Sequence, residues 1–327
     1  MEYRNLGKSG LKVSALSFGS WVSFDRQLNE SQALEIMEFA YDCGVNFFDN
    51  AEIYANGNSE RIMGRILRKL NWDRSSYLVS SKAFFGRGDK RPNMTGLSRK
   101  HLIEACNEAL LRLQLDYLDL FFAHRPDKST PIEETVWTMH QLIIQGKILY
   151  WGTSEWSAQE IMEAHLIAKE HHLLGPIAEQ PQYNLLVREK VEVEFSQLYK
   201  TVGLGTTVWS PLASGMLTGK YLESIPENSR LSLPEYNWLK EKNLTKEWLE
   251  KVKSLKTFAE SLGISLTQLA IAWCLSNPNV STVILGATSM NQLKENLSSV
   301  EKLFLLDKSC HDYLETILLN KPKFPTY

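Results

Sequence analysis

Several features that mark protein classes are scarce or missing in these 327 residues. Glycine (18) and proline (11) are few and without period, which excludes a collagenous or largely disordered chain. Only four cysteines occur, Cys43, Cys106, Cys274 and Cys310, with no C-x-x-C pair and no histidine at metal-ligand spacing. Buried reduced thiols and no bound metal are therefore expected. No apolar run reaches the ~18 residues that span a bilayer. Charge of one sign is missing too: 36 Lys and Arg against 38 Asp and Glu leave a formal −2, so nothing calls for nucleic acid or an anionic membrane. The polar start Met1-Glu2-Tyr3-Arg4-Asn5 has no leader pattern, and a cytoplasmic chain without membrane insertion is expected.

What is present is a large apolar fraction, 43%, distributed with a regular alternation. Short apolar runs recur at 13–19, 45–49, 77–82, 118–124, 148–154, 176–180, 206–210 and 281–286, and these read as eight strands. Between them lie stretches with helical spacing at 31–43, 59–69, 98–113, 132–145, 158–172, 188–201 and 266–275. Ser31 ahead of Glu35, and Ser157 three residues ahead of Glu160, read as helix starts. Such alternation implies a parallel sheet, and eight βα units close into an α/β (β/α)₈ TIM barrel. A doubly wound sheet competes poorly, because no G-x-G-x-x-G follows a strand; Gly203-Leu204-Gly205 comes closest and lacks the third glycine. Length alone allows two domains, but the strand count makes 1–327 one domain. Residues 1–13 read as an N-terminal β-hairpin closing the barrel floor, 211–264 as a long loop after strand 7, and 307–327 as a C-terminal tail.

In a barrel the C-terminal ends of the strands converge on one site. Three successive strands end in ionisable residues, Asp49, Lys82 and His124, and Tyr54 follows Asp49 within one loop turn. Any one of these alone reads most simply as a solvated or core residue; together they occupy equivalent positions of consecutive units. A tyrosine titrates near 10, and a neighbouring lysine cation is expected to lower that value. Tyr54 is then placed to give a proton to a carbonyl oxygen as hydride reaches the carbon, with Lys82 held by Asp49 and with His124 orienting the carbonyl. Trp21, Phe85 and Trp156, just after strand ends, either line an apolar substrate mouth or pack under the long loop.

Gly44-Val45-Asn46-Phe47-Phe48-Asp49-Asn50-Ala51-Glu52-Ile53-Tyr54, with Lys82 and His124, resembles the Asp-Tyr-Lys-His tetrad of the aldo-keto reductases. More narrowly, the chain is similar throughout to the branch containing the voltage-gated potassium channel β subunits, through Gly96-Leu97-Ser98-Arg99-Lys100-His101, Arg125-Pro126-Asp127, Tyr150-Trp151-Gly152-Thr153-Ser154, Trp209-Ser210-Pro211-Leu212-Ala213 and Gln268-Leu269-Ala270-Ile271-Ala272-Trp273. The resemblance implies reduction of small aldehydes and ketones with NADPH/NADP+, bound across the barrel mouth without a Rossmann fingerprint. It implies cofactor contacts at Ser20, Trp21 and Asp49, the carboxamide at Ser154 and Gln180, and Trp209 stacked on the nicotinamide. Ser210, Pro211, Leu212 and Ser214 fall along the pyrophosphate, with Lys220 and Arg230 beyond. Gly286, Thr288, Gln292, Glu295 and Asn296 match ribose, 2′-phosphate and adenine positions, on a helix start whose dipole suits an anion. A homotetramer and a channel partner are also implied, the latter not favoured: His124 stands where animal channel β subunits carry Asn, and the complete tetrad favours a working reductase. Glu155 departs from the family's usual Asn or Arg beside the carboxamide.

Overall fold

A computed structural model describes residues 1–21, 24, 27–88, 90–227, 229–233 and 237–324. Residues 228 and 234–236 of the expected loop region, and 325–327 of the expected tail, lie outside the described residues. Two short strands, β1 (Tyr3–Asn5) and β2 (Lys12–Ser14), pair antiparallel as the expected hairpin. The eight expected strands follow: β3 (Leu16–Gly19), β4 (Phe47–Asp49), β5 (Leu78–Ala83), β6 (Leu118–Ala123), β7 (Ile148–Ser154), β8 (Ala178–Gln180), β9 (Gly205–Val208) and β10 (Thr282–Leu285). They pair parallel in chain order, and β10 closes on β3, so the sheet has no edge. The run expected at 13–19 is split at Ala15, its first residues belonging to the hairpin.

Strand alternation decides what faces inward. Phe47, Leu120, Phe122 and Ala178 meet inside the barrel with Leu6 and Val13 of the hairpin, which plugs the floor. Phe48, Val79, Phe121 and Trp151 point the other way, into the layer under the helices. Gly7, at the hairpin turn, has φ +60°, and a Cβ there would collide with the backbone of Gly203, ahead of β9, and of Gly205, its first residue. Only glycine lets the plug sit that close.

The helices α1 (Glu30–Asp42), α2 (Asn58–Leu70), α3 (Arg99–Leu113), α4 (Ile132–Ile144), α5 (Ala158–Glu170), α6 (Ser196–Thr201), α7 (Asn237–Asn243), α8 (Lys246–Ser261), α9 (Leu266–Ser276), α10 (Met290–Ser298) and α11 (Lys308–Leu318) cover the barrel. Ser157 caps α5 as expected, with the reciprocal Glu160 bond. α1 begins earlier than expected: Asn29, not Ser31, is its cap, because Gln32 completes the box. The 188–201 stretch is a π-helical turn, Lys190–Glu194, followed by the short α6. The expected tail contains α11, whose Cys310, Leu314 and Leu318 bury one stripe, while Arg188 binds Glu315 at 2.7 Å. Cys106, Cys274 and Cys310 are buried free thiols, but Cys43 is exposed, because it caps the C-terminus of α1 where the chain turns out to solvent. Among the described residues no single helix is long and apolar enough to cross a membrane.

Candidate active site

The strand ends open into a cleft of about 820 Å³ over the top of the barrel. Asp49, Lys82 and His124 stand on the inward faces of β4, β5 and β6 or immediately beyond, so the period of two that filled the barrel also aims these groups into it. Lys82 is wholly buried. Its ammonium donates to Asp49 Oδ2 at 2.6 Å, to the Asn50 carbonyl at 2.8 Å and to Tyr54 Oη at 3.2 Å. An ammonium has three protons, and all three are used. Tyr54 oxygen is therefore an acceptor here, and its own O–H is left for another partner. Asp49 is held in turn by Ser80 Oγ at 2.6 Å and Gln180 Nε2 at 3.2 Å on its other oxygen.

Tyr54 lies on a turn whose next residues, Ala55 (φ 47°), Asn56 (φ 52°) and Gly57 (φ 84°), are all left-handed. For Ala55 and Asn56 this costs on the order of 1–3 kcal/mol each and persists only where the surroundings enforce it. The support is visible. Gly57 backs onto Arg87 and Arg112, where a Cβ would come within 3.0 Å of Arg112 Cδ, and Arg112 is pinned by Glu60 Oε2 at 2.6 Å. Ser81 donates to the other Glu60 oxygen.

Electrostatics corrects one expectation. Burial pushes the Tyr54 phenol up more strongly than the Lys82 cation pulls it down, so its pKa lies above, not below, the ordinary value. Desolvation opposes the charge on Lys82, but Asp49 and then Tyr54 outweigh it and leave the ammonium above its usual range. His124 is driven well below the usual imidazole range, first by burial and then by the Lys82 and Arg125 cations. At neutral pH the site holds a protonated phenol, an ammonium–carboxylate pair and a neutral imidazole. The His124 ring lies 6.0 Å from that of Tyr54, nearly perpendicular, and 5.1 Å from that of Phe85.

Every expected cofactor position except Ser20 lines this cleft, as do Tyr54, His124, Trp21 and Phe85. Ser20 is buried and donates to the Asp49 carbonyl, tying β3 to β4. Trp156 is also not on the cleft wall. Glu155 takes φ 60°, and the reversed chain tucks Trp156 into the core. Glu155 itself spans the gap to β9, accepting from Trp209 Nε1 at 3.0 Å and from the Gln182 amide at 2.6 Å, with Lys190 at 3.3 Å. The departure at this position thus fixes the indole of Trp209. Ser154 Oγ donates to the Gln180 carbonyl and receives Arg125 Nη1 at 3.2 Å.

Aromatic rings, cations and a helix start share this cleft. Trp209 and Trp21 meet edge to face at 6.1 Å, giving an aromatic wall. At the loop wall, Lys220 is pulled below its ordinary range by burial and then by Arg230, a repulsion that an anion between them would relieve. α10 starts at the same wall, where Thr288 N and Oγ1 donate to Gln292 Oε1. Arg125 and Trp238 also line the cleft and were not singled out as site residues from the sequence. For Arg125 the available signal was its position directly after His124; for Trp238, within the long loop region, there was none. Among the described residues no group of three His, Cys, Asp or Glu is placed to hold a metal.

Comparison with known proteins agrees with this geometry. The Aldo/keto reductase family model matches residues 15–318. The chain is 53% identical over 324 residues to a protein of Oryza sativa subsp. japonica named "Probable voltage-gated potassium channel subunit beta", covering 99% of this chain and 98% of the relative. It is 53% identical over 326 residues to a protein of the same name from Arabidopsis thaliana, covering 99% of each.

Proposed function

The chain belongs to the aldo/keto reductase family and is an oxidoreductase, and we propose that it reduces small aldehydes and ketones with NADPH, Tyr54 acting as the general acid. The observation that carries this reading is the exhaustion of the Lys82 protons on Asp49, Asn50 and Tyr54. A phenol that already accepts from an ammonium is prepared to become a phenolate, and its own O–H remains available to a partner in the cleft. A pKa raised by burial keeps that proton in place until a carbonyl oxygen gains negative charge.

Bound NADPH would supply the hydride. Trp209 and Trp21 would flank its nicotinamide, Ser154 and Gln180 would bind the carboxamide, and Lys220, Arg230 and the start of α10 would meet its phosphates. The chain's own part is to hold the carbonyl. The neutral imidazole of His124 donates to the oxygen without carrying a charge that would compete with Tyr54 for the proton. Lys82 then stabilises the phenolate left behind, and Asp49 keeps that ammonium charged and aimed. General acid catalysis of this kind contributes about 10²–10⁴-fold.

The test is oxidation of NADPH followed at its absorbance band over short aldehydes, methylglyoxal and aromatic aldehydes, and repeated with NADH. Turnover with NADPH is expected; absence of turnover with every carbonyl would falsify the reading. A second reading, a channel subunit with slow chemistry, rests on the names of the plant relatives. Co-purification with a channel, joined to negligible turnover, would select it over the first. The homotetramer implied by the same likeness is checked by light scattering.

A further inference from the structure

Most of the half-buried and buried arginines among the described residues are matched by carboxylates. Arg4 meets Glu2, Arg74 meets Asp119, Arg87 meets Glu108, Arg112 meets Glu60, and Arg188 meets Glu192 and Glu315. Arg125 has no acid within ion-pair distance among the described residues. Its side-chain contacts are the His124 carbonyl at 2.5 Å and Ser154 Oγ at 3.2 Å, both through Nη1, and the Phe85 ring with Cζ 5.5 Å from the centroid. The guanidinium lines the cleft on the wall that carries Phe85 and His124. Lys220 and Arg230 come from the separate loop after β9.

Charge in this corner is positive by one. Lys82 is balanced by Asp49, His124 is neutral, and Arg125 adds a cation with Nη2 and Nε not engaged by protein. A half-buried guanidinium with spare donors in fork geometry is a bidentate anion site. Here it stands beside His124, the imidazole that the reductase reading sets against the carbonyl oxygen.

We propose that Arg125 selects carbonyl substrates that carry a second, anionic group, a carboxylate or a phosphate, a short spacer from the reacting carbon. This rests on the reductase reading above. The aldehyde end meets Tyr54 and His124, Phe85 covers the spacer, and the anion takes the free edge of the guanidinium.

The experiment compares pairs that differ in charge: 4-carboxybenzaldehyde against methyl 4-formylbenzoate, and glyceraldehyde 3-phosphate against glyceraldehyde, with NADPH saturating. The wild-type protein is expected to prefer the anionic member of at least one pair in kcat/KM by about tenfold or more, the size of a charge-assisted bond. Which pair shows it separates carboxylate from phosphate. Arg125→Gln is expected to bring that ratio near unity, and Arg125→Lys to keep part of it. Loss of the Ser154 and His124 contacts would slow both members alike, so the ratio reads charge recognition apart from structure. Equal use of both members by the wild type, or a preference that survives Arg125→Gln, overturns the inference. If no aldehyde is reduced, the reductase reading fails, and calorimetric titration of the NADP+-loaded protein with the same compounds still decides the anion site: anion-selective binding lost in Arg125→Gln upholds it, and no such binding overturns it.

Discussion

The two walls of the cleft are built in different ways. The strand wall holds Asp49, Lys82, Tyr54 and Gln180 through buried hydrogen bonds, from Ser80 and Lys82 on the strand next to that of Asp49 and from Gln180 across the barrel. The loop wall, from Ser210 through Arg230, crosses the mouth on left-handed residues, Ser210 (φ 57°), Ala213 (φ 47°) and Ser214 (φ 59°), and its cations repel one another. A wall whose ammonium and carboxylate are held by buried hydrogen bonds before anything binds is suited to chemistry, because that pair need not reorganise as charge moves. A wall that brings two cations close enough to repel one another is suited to capture of an anion. Changes in the first should therefore cost turnover, and changes in the second should cost affinity.

The sharpest way to break this division is Tyr54→Phe. Turnover should fall by about 10²–10⁴-fold while NADPH affinity, read by fluorescence titration, stays within a few-fold. Loss of cofactor binding to a similar degree would show that the walls are not separable. Next in size is Lys82→Met, which leaves the Asp49 carboxylate buried without its cation; breaking such a pair costs about 3–5 kcal/mol, visible in denaturant unfolding. Adding Asp49→Asn should recover much of the stability and none of the turnover, which separates folding from catalysis on one wall.

On the loop wall, Lys220→Ala and Arg230→Ala should each weaken NADPH by roughly tenfold with kcat little changed, as expected for one charge-assisted contact apiece. The smallest effect concerns pH. Glu179, behind the strand wall on β8, is pushed up to about 8, chiefly by burial and also by Glu155, against a hydrogen bond from Thr153 that lowers it. A folded value above the unfolded one means that stability is fully present below about 4.5 and is lost as pH rises toward 8. Melting temperatures from pH 5 to 8 should therefore fall less steeply in Glu179→Gln than in wild type. His124 has the opposite sign. Its depressed value makes stability present above the ordinary imidazole range and lost as pH falls below it, so His124→Asn should flatten the acid side of the same profile.

Much of the strand wall was legible in sequence, and much of the rest was not, for identifiable reasons. The residues Phe47 and Asp49, Leu78, Ser80 and Lys82, and Phe122 and His124 alternate with outward residues, so a period of two both predicts the strands and puts the ionisable groups on one side. Ser20 and Trp156 lie just past strand ends, where the strand period no longer sets the side chain's direction; Glu155 at φ 60° turns Trp156 into the core. Cys43 stands where the chain leaves α1 for solvent, outside the apolar stripe of that helix. Asn29 took the cap expected of Ser31 because the reciprocal Gln32 bond decides between neighbouring candidates.

The identity of the groups that meet at the barrel mouth is a property of the chain itself: local periodicity places Asp49, Lys82 and His124 at equivalent strand ends, and no distant contact is needed to infer it. Their state is a property of the fold. Whether Tyr54 rises or falls in pKa depends on how much water packing removes compared with the field of one lysine, and burial prevails. Whether Arg125 has a counter-ion depends on which acids the other strands and loops bring near it, and among the described residues none comes within ion-pair distance. Both are sums over neighbours remote in sequence, so only the tertiary structure could decide them.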